Sequence, residues 1–136
     1  MATNGWAKID QNWYYSTSSG KISQEKWEKV NGSWYYFDKK GIMLSSTTFK
    51  GYLFNNSGAM AENSWVKIKD TWFYANASGK FVQNKWEKIS GSWYSFAQDG
   101  AMLADKWSGS YYLKTNGAMA DNEWIFDKNY NSWFFL

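Results

Sequence analysis

The sequence predicts an all-β chain, a repeat solenoid of stacked β-hairpins, on three observations. Rings recur at a near-constant interval, each interval holds a strand–turn–strand pattern, and no segment carries a sustained helical period or a proline. Trp or Phe stands at Trp6, Trp27, Phe49, Trp65, Trp86, Trp107 and Trp124. Seven residues after four of these comes a second Trp with a ring beside it: Trp13-Tyr14-Tyr15, Trp34-Tyr35-Tyr36, Trp72-Phe73-Tyr74 and Trp93-Tyr94. The unit reads W-x6-W-Y-Y-x4-G-x-M-x4, and the repeats fall near 6–26, 27–48, 49–64, 65–85, 86–106, 107–123 and 124–136 of a single module over 1–136.

A longer period lies above the first. The intervals run 21, 22, 16 and then 21, 21, 17, so residues 6–64 and 65–123 are two copies of 59 residues, with WEKVNGSWY in one answering WEKISGSWY in the other. Each triplet is long, long, short. An isolated hairpin is marginal in water, so the hairpins must stack, with about three completing one turn. Within a long unit, Trp27 to Val30 is a strand, Asn31-Gly32 a type I′ turn signal, and Ser33 to Phe37 the returning strand. The other long units offer weaker turn signals, Ser90-Gly91, Gln11-Asn12 and Asp70-Thr71. Gly41 lies in the connecting loop, where it supplies a positive φ.

Composition excludes several classes of chemistry. Among 136 residues there are 11 Trp, 10 Tyr and 9 Phe, but neither Cys nor His, so disulfides, thiolate sites and the commonest general base are absent. All 15 basic residues are lysines against 12 carboxylates, a net charge of +3 that is too mild and scattered for a nucleic-acid footprint. The carboxylates, such as Asp10, Glu25, Glu28, Asp38 and Glu62, fall in turns and rims without converging, so no enzyme is expected, nor any cofactor. No apolar run is long enough for a membrane span. The opening MATNGW shows no signal peptide and enters patterned sequence at once, which suggests a fragment of something larger.

Side-chain alternation decides where the rings go. With Asn31-Gly32 as the turn, Trp27, Lys29, Trp34 and Tyr36 share one face, and Glu28, Val30, Tyr35 and Phe37 the other. In a stack, each junction then holds two Trp from one hairpin and a Tyr from the next, with the Met after the glycine as a floor. Three rings and a thioether suit a quaternary ammonium, whose spread charge is drawn to ring faces and which has no hydrogen-bond donor. Rings at regular spacing also serve as core. However, the short units lose the second Trp, with Gly51 and Ser110 in its place, while keeping Tyr52, Tyr111 and both Met residues. Packing alone does not explain that selective loss.

The run WEKVNGSWYYFDKKGIM, residues 27–43, strongly resembles the choline-binding repeats of streptococcal and pneumococcal surface proteins, and the likeness extends from Trp6 to about Leu136. The resemblance implies a left-handed hairpin superhelix that holds choline residues of teichoic acid between successive hairpins. Carried over to this sequence, it implies choline sites at Trp6, Trp13, Tyr35 and Met43; at Trp27, Trp34, Tyr52 and Met60; at Trp65, Trp72, Tyr94 and Met102; and at Trp86, Trp93, Tyr111 and Met119. The junctions led by Phe49 and Trp107 lack the second Trp and should bind weakly or not at all; Phe73 in place of Tyr weakens the first of them further. Trp124 and Trp133 are nine apart with no following repeat, so a site there needs another chain or further sequence. The implied partners are choline- or phosphocholine-decorated teichoic and lipoteichoic acids, and the implied location is a secreted protein held non-covalently on the cell wall. A homodimer through the terminal repeat is a further expectation. The alternative reading is a glucan-binding repeat module, since related repeats stack rings on sugars.

Overall fold

Two-residue turns fold each ring-rich segment back on itself, and the computed structural model describes the result over residues 5–136. Among the described residues there are fourteen strands and no helix. They are β1 (Gly5–Ile9), β2 (Asn12–Ser16), β3 (Lys26–Val30), β4 (Ser33–Phe37), β5 (Thr47–Phe49), β6 (Tyr52–Phe54), β7 (Ser64–Ile68), β8 (Thr71–Ala75), β9 (Lys85–Ile89), β10 (Ser92–Phe96), β11 (Lys106–Ser108), β12 (Tyr111–Leu113), β13 (Trp124–Asp127) and β14 (Ser132–Phe135). Consecutive strands pair as seven two-stranded sheets, one for each expected repeat.

The register in β3–β4 is the one expected: Val30 opposite Ser33, Lys29 opposite Trp34, Glu28 opposite Tyr35 and Trp27 opposite Tyr36. Both central turn residues, Asn31 (φ 50°) and Gly32 (φ 87°), have positive φ, as type I′ requires. Two of the expected turns are corrected by one residue. Ile9 pairs with Asn12, so the first turn is Asp10-Gln11, and the fourth is Lys69-Asp70, not Gln11-Asn12 and Asp70-Thr71. The physical reason is cross-strand pairing. With the turn one residue later, Trp13 would stand opposite Asp10, four positions along the strand from Trp6, whereas the observed register sets it opposite Lys8, two positions away and beside Trp6, with Trp6 opposite Tyr15. Packing of the rings thus overrides weak turn chemistry, and non-glycine residues accept positive φ to permit it.

The loop after each hairpin is closed by its own first residue. In the second repeat the Asp38 carboxylate accepts from the N–H groups of Lys40 and Ile42, both at 2.9 Å, and Asn55 and Asn76 do the same in the next two. The loop then returns along the outgoing strand through single bridges such as Phe37 to Met43 and Phe54 to Met60.

The chain divides into two compact units, Met1–Asp70 with Tyr74–Phe81, and Thr71–Phe73 with Val82–Leu136. In the first, Phe37, Leu53 and Phe54 are fully buried beside Ala61, Val66 and Ala75. Indoles lie against this core: Trp6 is 5.8 Å from Phe37 and Trp27 stacks at 5.5 Å on Phe54. In the second, Val82, Ile89, Phe96, Leu113, Ala118 and Ala120 form the buried set. The aliphatic filler that a ring-rich core needs is therefore concentrated at these few positions.

Candidate functional site

Three of the four expected residue sets come together. In the first unit, Trp6, Trp13, Tyr35 and Met43 line a cavity of about 260 Å³, and Trp27, Trp34, Tyr52 and Met60 one of about 300 Å³. In the second, Trp86, Trp93, Tyr111 and Met119 line a cavity of about 250 Å³. The remaining set divides between the units: Trp65 belongs to the first, and Trp72, Tyr94 and Met102 to the second.

The two indoles of a cage stand at right angles, Trp6 to Trp13 at 6.1 Å and 87° and Trp27 to Trp34 at 6.3 Å and 87°. The Tyr of the next hairpin closes a further side, with Tyr35 at 4.8 Å from Trp6 and Tyr52 at 5.2 Å from Trp27. The second Trp of each pair keeps about two fifths of its surface open, which leaves the cavity a mouth (Trp13 38%, Trp34 37%, Trp93 41%).

The floor is fixed by the main chain. Met43 N–H donates to the carbonyl of Trp13 at 2.9 Å, Met60 to Trp34 at 2.7 Å, Met102 to Trp72 at 2.9 Å and Met119 to Trp93 at 2.8 Å. Each expected methionine is thus tied to the second tryptophan of its own set. Each of these bonds joins the loop of one repeat to the second strand of the repeat before it. Sequence reasoning missed one contributor. Ser57 lines the Trp6 cage and Ser78 the Trp27 cage, each from the loop two repeats after the indoles. The recurring Ser-Gly pair, Ser57-Gly58 and Ser78-Gly79, was the available signal.

Glycine follows serine there for a steric reason. A Cβ on Gly58 would lie 2.3 Å from the sulfur of Met43, one on Gly79 2.5 Å from that of Met60, and one on Gly117 2.3 Å from that of Met102. The thioether occupies the space that any side chain would take.

No carboxylate lines any of the three cages. Their attraction for a cation comes from ring faces and the thioether, and they offer a hydrogen-bond donor on a ligand little to bond to. The lysines beside the rings lie along them: Lys8 Nζ is 5.9 Å from the Trp13 ring centre and Lys29 Nζ 5.7 Å from that of Trp34. Glu28 points away from its cage. Burial raises its pKa, but the Ser23 hydroxyl, which it accepts, and the Lys26 ammonium at 3.1 Å outweigh this and hold it below the usual value. It therefore acts as a structural anion.

The two junctions without a second Trp are built differently. At the Phe49 junction, Gly51 accepts from Phe81 N–H where a cage would use Trp and Met, and Phe49 stacks on Tyr36 at 4.6 Å. At the other, the Trp107 indole donates to Asp127 at 2.5 Å and meets Phe134 edge-on at 5.1 Å. In the last hairpin the turn is two residues longer, so Trp124 opposes Phe135 and Phe126 opposes Trp133. Despite their wider spacing, Trp124 and Trp133 hold the register positions of Trp27 and Trp34.

Comparison with known proteins follows this repeat structure closely. Models of the choline-binding repeat match residues 24–65 and 101–131, and the putative cell wall binding repeat matches 4–22, 63–81 and 84–102. The modular autolysin LytC of Streptococcus pneumoniae aligns over 94% of this chain and 30% of its own, at 33% identity and a TM-score of 0.76. Choline binding protein F of the same organism aligns over 87% of this chain and 40% of its own, at 32% identity and a TM-score of 0.67. A putative endo-β-N-acetylglucosaminidase of S. pneumoniae is 58% identical over 26 residues, which is 19% of this chain and 4% of that protein. The chain thus spans well under half the length of each.

Proposed function

The chain belongs to the choline-binding, or cell-wall-binding, repeat family, and from that premise we propose that it is a non-catalytic module holding choline residues of teichoic acid in its aromatic cages. The observation that carries this reading is the repeated linkage of two crossed indoles, a Tyr and a backbone-tethered Met around a cavity free of carboxylates. Ring faces attract a trimethylammonium by about 0.5–2 kcal/mol each, so one cage would bind choline at roughly millimolar strength. A polymer bearing many cholines would be held far more tightly, because after the first contact every further one is intramolecular.

In this reading the module sits at the cell surface, reached by secretion, and anchors a larger protein whose remaining parts perform any chemistry. Its partners are choline- or phosphocholine-bearing teichoic and lipoteichoic acids. Association into a homodimer through the last hairpin belongs to the same proposal: Trp124 and Trp133 are 62% and 61% exposed and stand in cage register. Trp133→Ala should then abolish concentration-dependent association in sedimentation.

The test of function is a titration of intrinsic Trp fluorescence with choline, beside soluble dextran and sodium chloride. A saturable change with choline alone is expected. A response to dextran alone would move the assignment to glucan binding, and silence to both would leave the rings as packing.

A further inference from the structure

The Trp107 junction, which lacks a cage, encloses a cavity of about 560 Å³, roughly twice the size of a cage and of different chemistry. Its lining mixes the rings of Trp107 and Phe126 with the carboxylates of Asp105 and Asp127 and the donors of Lys128 and Asn129. Beyond the cages and independently of them, we propose that this cavity binds a pyranose sugar.

Three features carry the assignment. Asp127 is 6% exposed, and its carboxylate is fixed by the Trp107 indole at 2.5 Å and the N–H groups of Asn129 at 2.7 Å and Tyr130 at 3.3 Å. Three of about four acceptor positions are filled, which leaves capacity for one hydroxyl from a ligand. Asp105 is likewise oriented, accepting from the Thr115 hydroxyl at 2.7 Å. The ammonium and amide of Lys128 and Asn129 supply donors, so both acceptors and donors line the cavity beside ring surface. A sugar has that pattern, with hydroxyls that both give and accept hydrogen bonds and an apolar C–H face that lies on a ring. A quaternary ammonium has no donor to use here. An inorganic anion would meet two carboxylates, and a metal ion would meet the ammonium groups of Lys106 and Lys128.

The test uses the full chain with its cages first saturated by choline, followed by nitrogen-15 NMR. Chitotriose and maltotriose are the probes, with glycine as a small zwitterion control. The expected result is a saturable shift of the Trp107 indole N–H and the Asn129 amide with at least one saccharide. The exposed double change Lys128→Ala with Asn129→Ala should weaken it roughly tenfold, read on the indole, while leaving choline retention unchanged. Four outcomes would overturn the proposal: no shift with either sugar, a shift that survives the double change, a shift seen only before choline is added, or a shift produced by glycine alone.

Discussion

Replacing Gly58 by Ala should damage a binding site without replacing any residue that lines it. The new methyl would stand 2.3 Å from the Met43 sulfur and 2.4 Å from its terminal carbon, against an ordinary contact of about 3.5–4 Å. The thioether must therefore move by more than about 1 Å, away from the floor of the Trp6 cage. Displacing the thioether, whose contacts are worth about 0.3–1.5 kcal/mol, should lower choline affinity at that cage by up to roughly tenfold. Backbone strain is a separate effect, since Gly58 has φ +93° and Ala there costs roughly 1–2 kcal/mol of stability. Gly32 separates the two: its φ is +87°, but a Cβ there would meet nothing within 4 Å. Gly32→Ala should lower the melting temperature by a similar amount and leave binding intact. The assay is a choline titration followed on the indole N–H signals of Trp6 and Trp13, with thermal melts of both variants. If the two substitutions reduce choline affinity equally, or if neither does, the steric argument is wrong.

Other expectations follow from the same contacts. Trp93→Ala should weaken retention on a choline matrix more than Trp107→Ala. The latter removes the partner of Asp127 and should show instead as a loss of about 3 kcal/mol or more in denaturant unfolding. Gln11→Gly should raise the melting temperature by roughly 3–5 °C, because Gln11 holds φ 70° in a type I′ turn that favours glycine. Stability should fall on acidification. The Trp107 indole, against an opposing effect of burial, and then the Asn129 and Tyr130 N–H groups hold Asp127 below its usual value, and the Asp121 N–H and Lys114 do the same for Glu123. With both folded pKa values depressed, the contribution is complete above the usual carboxylate range near pH 4 and disappears as pH falls through the lower values. Melts across that range should show it, and Asp127→Asn should flatten the slope.

Most of the architecture was legible because one interval, W-x6-W, closed by a two-residue turn, puts the two indoles on the same face. The correct turn at Asn31-Gly32 followed from its residues. The turns at Asp10-Gln11 and Lys69-Asp70 did not, since nothing in their chemistry marks a positive φ and only the packing of rings selects them. Cage membership was legible where it depends on strand alternation, as for Trp27, Trp34 and Tyr52. Ser57 and Ser78 were not, because they arrive from two repeats away through loop geometry that alternation does not describe. The Asp127 bond to Trp107 was equally hidden, as an aspartate at the end of a strand reads as a solvated rim.

The sharing of each cage among successive repeats has a consequence for how such a chain could change length. The Trp6 cage takes its indoles from one repeat, Tyr35 and Met43 from the next and Ser57 from a third. A duplicated or deleted repeat would leave these neighbour relations intact everywhere except at the junction itself. Valency for a polymeric ligand can therefore rise or fall one step at a time, by unequal recombination, without any cage being redesigned.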